Sequence, residues 1–200
     1  TDVMNTYYAA QGMKLTEDAE ASRTNGEAKA DINWDEAKAY LQRMQDSEGG
    51  MVYNPTDPKA GAITNTDGKV VFRAYGSITY AGMLAMVYAD LTREDVRVRS
   101  ALDWSAKHWT LEENPGMGPA SLYFFYSVLA RALAATGMDA VPDANGNLLN
   151  WKAELAQKLV SLQKIDPATG RGYWVNENDR YWEGDPVLVT SYALLALTLL

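Results

Sequence analysis

Several residues able to do chemistry stand at the starts of apolar stretches. Glu183 and Asp185 precede the apolar run that closes the sequence, and Arg73 and Tyr75 precede another. Asp2 and Asn5 open a third, and Tyr123 and Trp182 lie at the same kind of junction. If these stretches are helices, their N-termini favour carboxylates and attract anions. Two carboxylates, an arginine and a tyrosine at one cavity mouth can do acid–base work. A plainer reading stands beside this one. Asp2, Glu183 and Asp185 serve equally well as helix-terminal charges. Arg73 serves as one half of an ion pair, and Tyr75, Tyr123 and Trp182 as packing. His108 is the only histidine, but it aligns with Met44 and Leu162 and is expected on the buried stripe of a helix. Its expected role is structural.

Other chemistries are excluded more firmly. With no cysteine, there are no disulfides, thiolate metal sites or thiol nucleophile. No second histidine exists to serve a catalytic triad, and no G-x-S-x-G occurs. Neither G-x-G-x-x-G nor a P-loop is present. No metal site or cofactor is expected, and no catalytic residue can be assigned. The net charge of −8 opposes binding to nucleic acid and anionic membranes. The longest apolar run, Val187 to Leu200, is shorter than the ~20 residues needed to span a bilayer, so no transmembrane segment is expected.

The elements that must position these residues repeat. Asn33-Trp34 and Asn150-Trp151 each begin an amphipathic stretch, with Asn as the expected N-cap. Ala37, Tyr40, Leu41 and Met44 follow one helical face, as do Leu155, Leu159 and Leu162. A third copy carries Ala101, Trp104 and His108. Two copies end on Gln45 and Gln163, then a glycine-containing loop, then aromatics: Met51-Val52-Tyr53 and Tyr173-Trp174. A second helix type alternates with the first and is apolar nearly all round, so it should be buried. Its copies surround Tyr8, Tyr80, Tyr126 and Tyr192. The simplest arrangement stacks hairpins side by side, charged helices outside and apolar helices inside. The stretches 54–70 and 137–150 read as loops, and 16–31 as a loop or poorly ordered insertion.

The helix ending in Gln, followed by Gly and an aromatic, resembles a degenerate QW-type repeat of the squalene-cyclase and prenyltransferase-β superfamily. The segments Arg73 to Gly82, Glu113-Asn114-Pro115-Gly116-Met117-Gly118 and Trp182-Glu183-Gly184-Asp185-Pro186 are similar to bacterial prenyltransferase and squalene-oxidase repeat proteins. The resemblance implies an all-α fold, an α/α toroid of repeated helix hairpins. About three and a half hairpins can be counted here, against about six in the family. Residues 1–200 are therefore expected to form a single toroid repeat domain, the later part of a longer chain, with its other hairpins upstream of Thr1. The resemblance also places the junction residues Asp2, Asn5, Arg73, Tyr75, Tyr123, Trp182, Glu183 and Asp185 at the mouth of a central cavity. The family's D-x-D-D, D-D-x-x-D and zinc-ligand motifs have no counterpart, so no family catalytic role transfers.

Three functions remain open: a toroid binding an isoprenoid or other hydrophobic molecule, a repeat scaffold for a protein partner, and a carbohydrate-active α/α toroid. An incomplete toroid would expose inner apolar helices, so self-association or a partner segment is expected.

Overall fold

The computed structural model describes residues 1–26, 28, 31–143 and 145–200. Among these the chain is mostly helical. Seven α-helices follow one another: α1 (Val3–Ser22), α2 (Trp34–Met44), α3 (Gly76–Tyr88), α4 (Val96–Lys107), α5 (Leu122–Ala135), α6 (Trp151–Leu162) and α7 (Pro186–Leu197). The connections carry three small antiparallel hairpins, β1–β2 (Ala62–Thr64, Val70–Phe72), β3–β4 (Val141–Pro142, Leu148–Leu149) and β5–β6 (Lys164–Ile165, Gly172–Tyr173). The expectation of purely irregular loops at 54–70 and 137–150 is corrected by the first two. Val70 to Phe72 supplies the β-branched and aromatic residues that favour a strand, and Gly68 (φ +77°) closes the turn.

The expected fully buried helix type is seen in α3 and α5, but not in α1 and α7, which bury one stripe each (Val3, Tyr7 and Ala10; Val189, Ala193 and Ala196) and leave Tyr8, Val187, Leu194 and Leu195 exposed. Every residue of α3 from Gly76 to Met86 is buried, as is every residue of α5 from Leu122 to Ala130. The charged helices bury one stripe each: Leu41 and Met44 on α2, Val98, Ala101, Trp104 and Ser105 on α4, and Trp151, Leu155 and Leu159 on α6. The apolar helices pack in chain order, α1 on α3, α3 on α5 and α5 on α7. α2 lies against α1 and α3, and α4 against α3. Indole N–H groups pin the last hairpin, Trp151 donating to the Met138 carbonyl (2.7 Å) and Trp174 to the Leu159 carbonyl (2.8 Å).

Caps set the helix starts. Asn33 and Asn150 accept from the backbone N–H groups of Glu36 and Ala153 at 3.1 Å each, as the Asn-Trp pairs suggest. Gln45 bonds backbone groups beyond the helix end: its Nε2 donates to the carbonyls of Gly49 and Arg97, both at 2.8 Å. One side chain thus ties the end of α2 to its own loop and to the start of α4.

Asp95 caps α4 and forms a bidentate pair with Arg97, two N–H···O contacts of 2.8 Å. The Arg97 guanidinium holds the Asp95 carboxyl down at about 2. A lowered folded-state pKa gives stability that is present above the ordinary Asp range and lost as pH falls from there through about 2. Both side chains are partly exposed, so solvent screening limits the gain to about 1 kcal/mol. Asp95→Asn is expected to flatten the acid limb of a stability–pH curve in that window, checked by urea titrations between pH 5 and 2.

Two further expectations need correction. Thr16 to Ser22 continues α1 rather than forming a loop. Glu and Ala dominate this stretch and are good helix formers, and Lys14 pairs with Glu17 at 2.9 Å. Residues 27, 29 and 30 of the same stretch lie outside the described residues. His108 is not on a buried stripe. It is the exposed C-cap of α4, where Trp104 completes the buried face one turn earlier. Its ring stacks on Trp104 at 4.2 Å, with Nδ1 2.9 Å from the Trp104 carbonyl.

Candidate functional site

The helices α1, α3, α5 and α7 need their first-turn N–H groups satisfied, and for α1, α3 and α5 much of this is done from a distance. Val3 N–H donates to the Tyr53 carbonyl (3.0 Å), and Gly76 N–H to the Pro115 carbonyl (2.8 Å). Ser77 N–H donates to Asn114 Oδ1 (2.9 Å), and Asn114 Nδ2 reaches Ser77 Oγ and the Ala120 carbonyl, both at 3.0 Å. On α5, Phe124 N–H donates to Glu183 Oε1 (2.8 Å) and Tyr123 N–H to Glu183 Oε2 (3.2 Å). Thus the starts of α1, α3 and α5 are each held by the connection that enters the next inner helix. The Asn-Pro-Gly and Trp-Glu-Gly segments are the devices that do so for α3 and α5.

This docking gathers the connections near the starts of α1, α3 and α5 and forms a partly open pocket of about 230 Å³. α1 contributes Met4 and Tyr8, the connection after α2 Tyr53 and Lys59, and the start of α3 Tyr75 and Ser77. Met117, Ser121 and Phe124 come from the entry to α5, and Tyr181, Glu183 and Tyr192 from the entry to α7 and α7 itself. The first and last helices of the packed series α1–α3–α5–α7 both contribute residues to this pocket. Phe124 and Tyr192 meet edge to face at 5.6 Å.

Among the described residues, three of the four non-glycine residues with positive φ lie at this site or beside it: Ser121 (58°), Tyr181 (62°) and Trp182 (67°). Such backbone conformations are costly for residues with a Cβ and are held by their surroundings. At Ser121 the strain has a visible consequence: its side chain makes no cap hydrogen bond, and Glu183 takes over that task.

The polar groups of the pocket are mostly neutral or committed. Burial pushes the Tyr75 hydroxyl far above its usual range. Burial, then the neighbouring Asp2 and Asp57 carboxylates, lifts Tyr53 to about 12. Burial, then Tyr8 and Glu183, does the same for Tyr192. These phenols stay protonated at neutral pH. Burial also raises the Glu183 carboxyl, and the Asn176 amide and the α5 N–H groups partly offset this. Asn176 Nδ2 donates to Glu183 Oε2 at 2.7 Å, so both carboxylate oxygens are engaged.

Of the eight residues singled out in the sequence, the structure brings Tyr75 and Glu183 to the pocket. Asp2 caps α1 through Asn5 N–H (2.8 Å) and accepts from Asn5 Nδ2 (2.8 Å); its charge reaches Tyr53 and Tyr75. Asn5 itself faces a separate groove between α1 and α2. Arg73 is exposed and makes no ion pair among the described residues. Tyr123 is buried in the core against Tyr126. Trp182 is 83% exposed beside the pocket residue Tyr181. Asp185 caps α7 through Val187 N–H (2.8 Å). Tyr53, Lys59 and Tyr181 were not singled out. Tyr53 carried a signal as the aromatic after a Gln–Gly loop, whereas Lys59 and Tyr181 lie in irregular connections that carry none.

The chain matches no family model, no curated protein and no solved structure. Among the described residues no group of three His, Asp or Glu side chains could hold a metal ion, and no helix is long and apolar enough to cross a membrane.

Proposed function

We propose that this protein binds a small hydrophobic molecule in the tyrosine-lined pocket at the mouth of a curved array of helix hairpins, in the manner of an α/α toroid. The observation that carries the reading is the pocket itself, because residues of α1, α3, α5 and α7 and of their flanking connections converge on it, five of them tyrosines. Ligand sites are typically concave and apolar with a few placed polar groups, and this wall of rings, Met4, Met117 and Phe124 has that character. Alternating charged and apolar helices with Gln45 bridging successive outer helices support the toroid reading. The volume limits the ligand. At about 230 Å³ the pocket lies below the ~300–1,000 Å³ of drug-sized sites, so it suits a single ring, a short branched chain or one end of a longer isoprenoid, not a whole polyene.

The carbohydrate-active reading is disfavoured by Glu183. Its two oxygens hold the α5 N-terminus and Asn176, which leaves it poorly placed to transfer a proton to a glycosidic oxygen. Filling the pocket tests the binding reading. Met117 is half-buried on a loop, so Met117→Trp adds bulk to the pocket at small cost to the core. It is expected to weaken binding of a neutral aromatic probe by about tenfold or more, the size of a 1–3 kcal/mol steric penalty. Tryptophan and tyrosine fluorescence titration reads the change. Equal affinities in the two proteins would place the probe elsewhere.

A further inference from the structure

The pocket already holds a cation. Lys59 lies on the long connection between α2 and β1, and its Nζ sits 3.9 Å from the centroid of the Tyr53 ring and 5.5 Å from that of Tyr181. Its only carboxylate contact among the described residues is Asp57, at 4.0 Å. The outer rim repeats the choice, with the Arg180 guanidinium 4.9 Å from the Tyr181 ring. Cations are drawn to aromatic faces by the ring quadrupole, and more strongly where water is excluded.

The fixed charges around these rings are mainly negative. Glu183 lines the pocket, and the Asp2 and Asp57 carboxylates act on the Tyr53 and Tyr75 hydroxyls. On the other side Arg131 is engaged, donating to the Tyr7 hydroxyl at 2.8 Å. Among the described residues Lys59 is thus the one cation lining a ring-walled pocket beside three carboxylates, and it is carried by a loop rather than by a packed helix.

We propose that the pocket selects a hydrophobic amine or quaternary ammonium compound, and that Lys59 is a tethered stand-in which such a ligand displaces from the faces of Tyr53 and Tyr181. This rests on the binding function proposed above and adds the charge of the ligand. The displaced ammonium swings toward solvent, where water solvates it. The ligand's charge takes its place over the rings, and its apolar part lies against Met4, Met117 and Phe124.

The test is calorimetric titration of the full chain with three probes of similar size: benzyltrimethylammonium, its uncharged carbon isostere neopentylbenzene, and phenylacetate. The ammonium is expected to bind at least tenfold more tightly than the neutral isostere, with phenylacetate weakest. Lys59→Met removes the competing charge and is expected to raise ammonium affinity severalfold. Tyr53→Leu is expected to shrink the preference for ammonium over the neutral isostere. Binding of the neutral isostere as tightly as the ammonium, tighter binding of phenylacetate, or weaker ammonium binding in Lys59→Met overturns the inference while leaving a hydrophobic pocket intact. Failure of all three probes to bind overturns both readings.

Discussion

Replacing Glu183 with alanine is expected to lower the unfolding free energy by about 3–5 kcal/mol, although the residue lies outside every helix. Its side chain is nearly fully buried, with 1% exposure, and three N–H donors converge on it: Tyr123 N, Phe124 N and Asn176 Nδ2. Alanine leaves all three without that acceptor. A buried donor stripped of its partner costs about 1–3 kcal/mol. Asn176 would keep its bond to the Pro119 carbonyl (2.7 Å), which holds the total below three full penalties. No neighbour can substitute easily, because Ser121, the residue in the cap position, is turned into the left-handed region. Urea denaturation of the two proteins at neutral pH reads the difference. A loss under about 1 kcal/mol would mean that water replaces the carboxylate and that Glu183 is not the cap of α5. Glu183→Gln separates charge from shape: it keeps one acceptor oxygen but turns an NH2 toward a backbone N–H, so it should remain clearly destabilised.

Gly49→Ala is expected to be as damaging, for a different reason. Gly49 has φ +97°, and a Cβ there would lie 2.1 Å from the Ser100 carbonyl oxygen. That atom belongs to the backbone of α4 and cannot rotate away. The substitution therefore combines backbone strain, about 1–3 kcal/mol, with an overlap that forces the loop off α4. It also displaces the Gly49 carbonyl, which accepts from Gln45. A total of about 4 kcal/mol or more is expected. Gly61 is an internal control. Its φ is +88°, yet nothing lies within 4 Å of a Cβ there, so Gly61→Ala should cost only the strain. Paired denaturant curves for the two variants isolate the packing component. Equal losses would show that the approach of the α2 loop to α4 does not matter.

These two residues show how differently parts of the molecule could be read from sequence. Gly49 sits in a pattern of Gln, Gly and aromatic residues whose physical meaning is local. A helix ends, its C-terminal carbonyl region needs partners, and Gln45, eight residues before the aromatic Tyr53, can supply them. The alternation of charged and apolar helices is equally local, because burial on all sides leaves a composition signature in α3 and α5. Glu183 was visible as a carboxylate before α7, and its expected task was to serve that helix. In the fold Asp185 does that, while Glu183 turns back to α5, 59 residues earlier in the chain. Nothing local encodes such a choice.

The pocket is harder still to read in advance. Its wall is assembled from four helices and three connections, and its loop residues Lys59 and Tyr181 gain their meaning only from their mutual position. Arg73 and Asn5 were grouped with it because both lie near helix starts, yet Arg73 stays exposed on the stretch before the α3 cap, and Asn5, inside the first turn of α1, faces α2 instead. His108 failed for a related reason: repeat alignment placed it beside Met44 and Leu162, but Trp104 had already completed the buried face of α4.

Native mass spectrometry of the protein as purified from cells tests the central claim most directly, because the pocket should have retained what it binds. The expected spectrum contains a fraction with added mass, released by organic solvent as a small hydrophobic compound and reduced or absent in Met117→Trp. A spectrum of apo protein alone, together with no neutral or charged aromatic probe binding in solution, would contradict the claim.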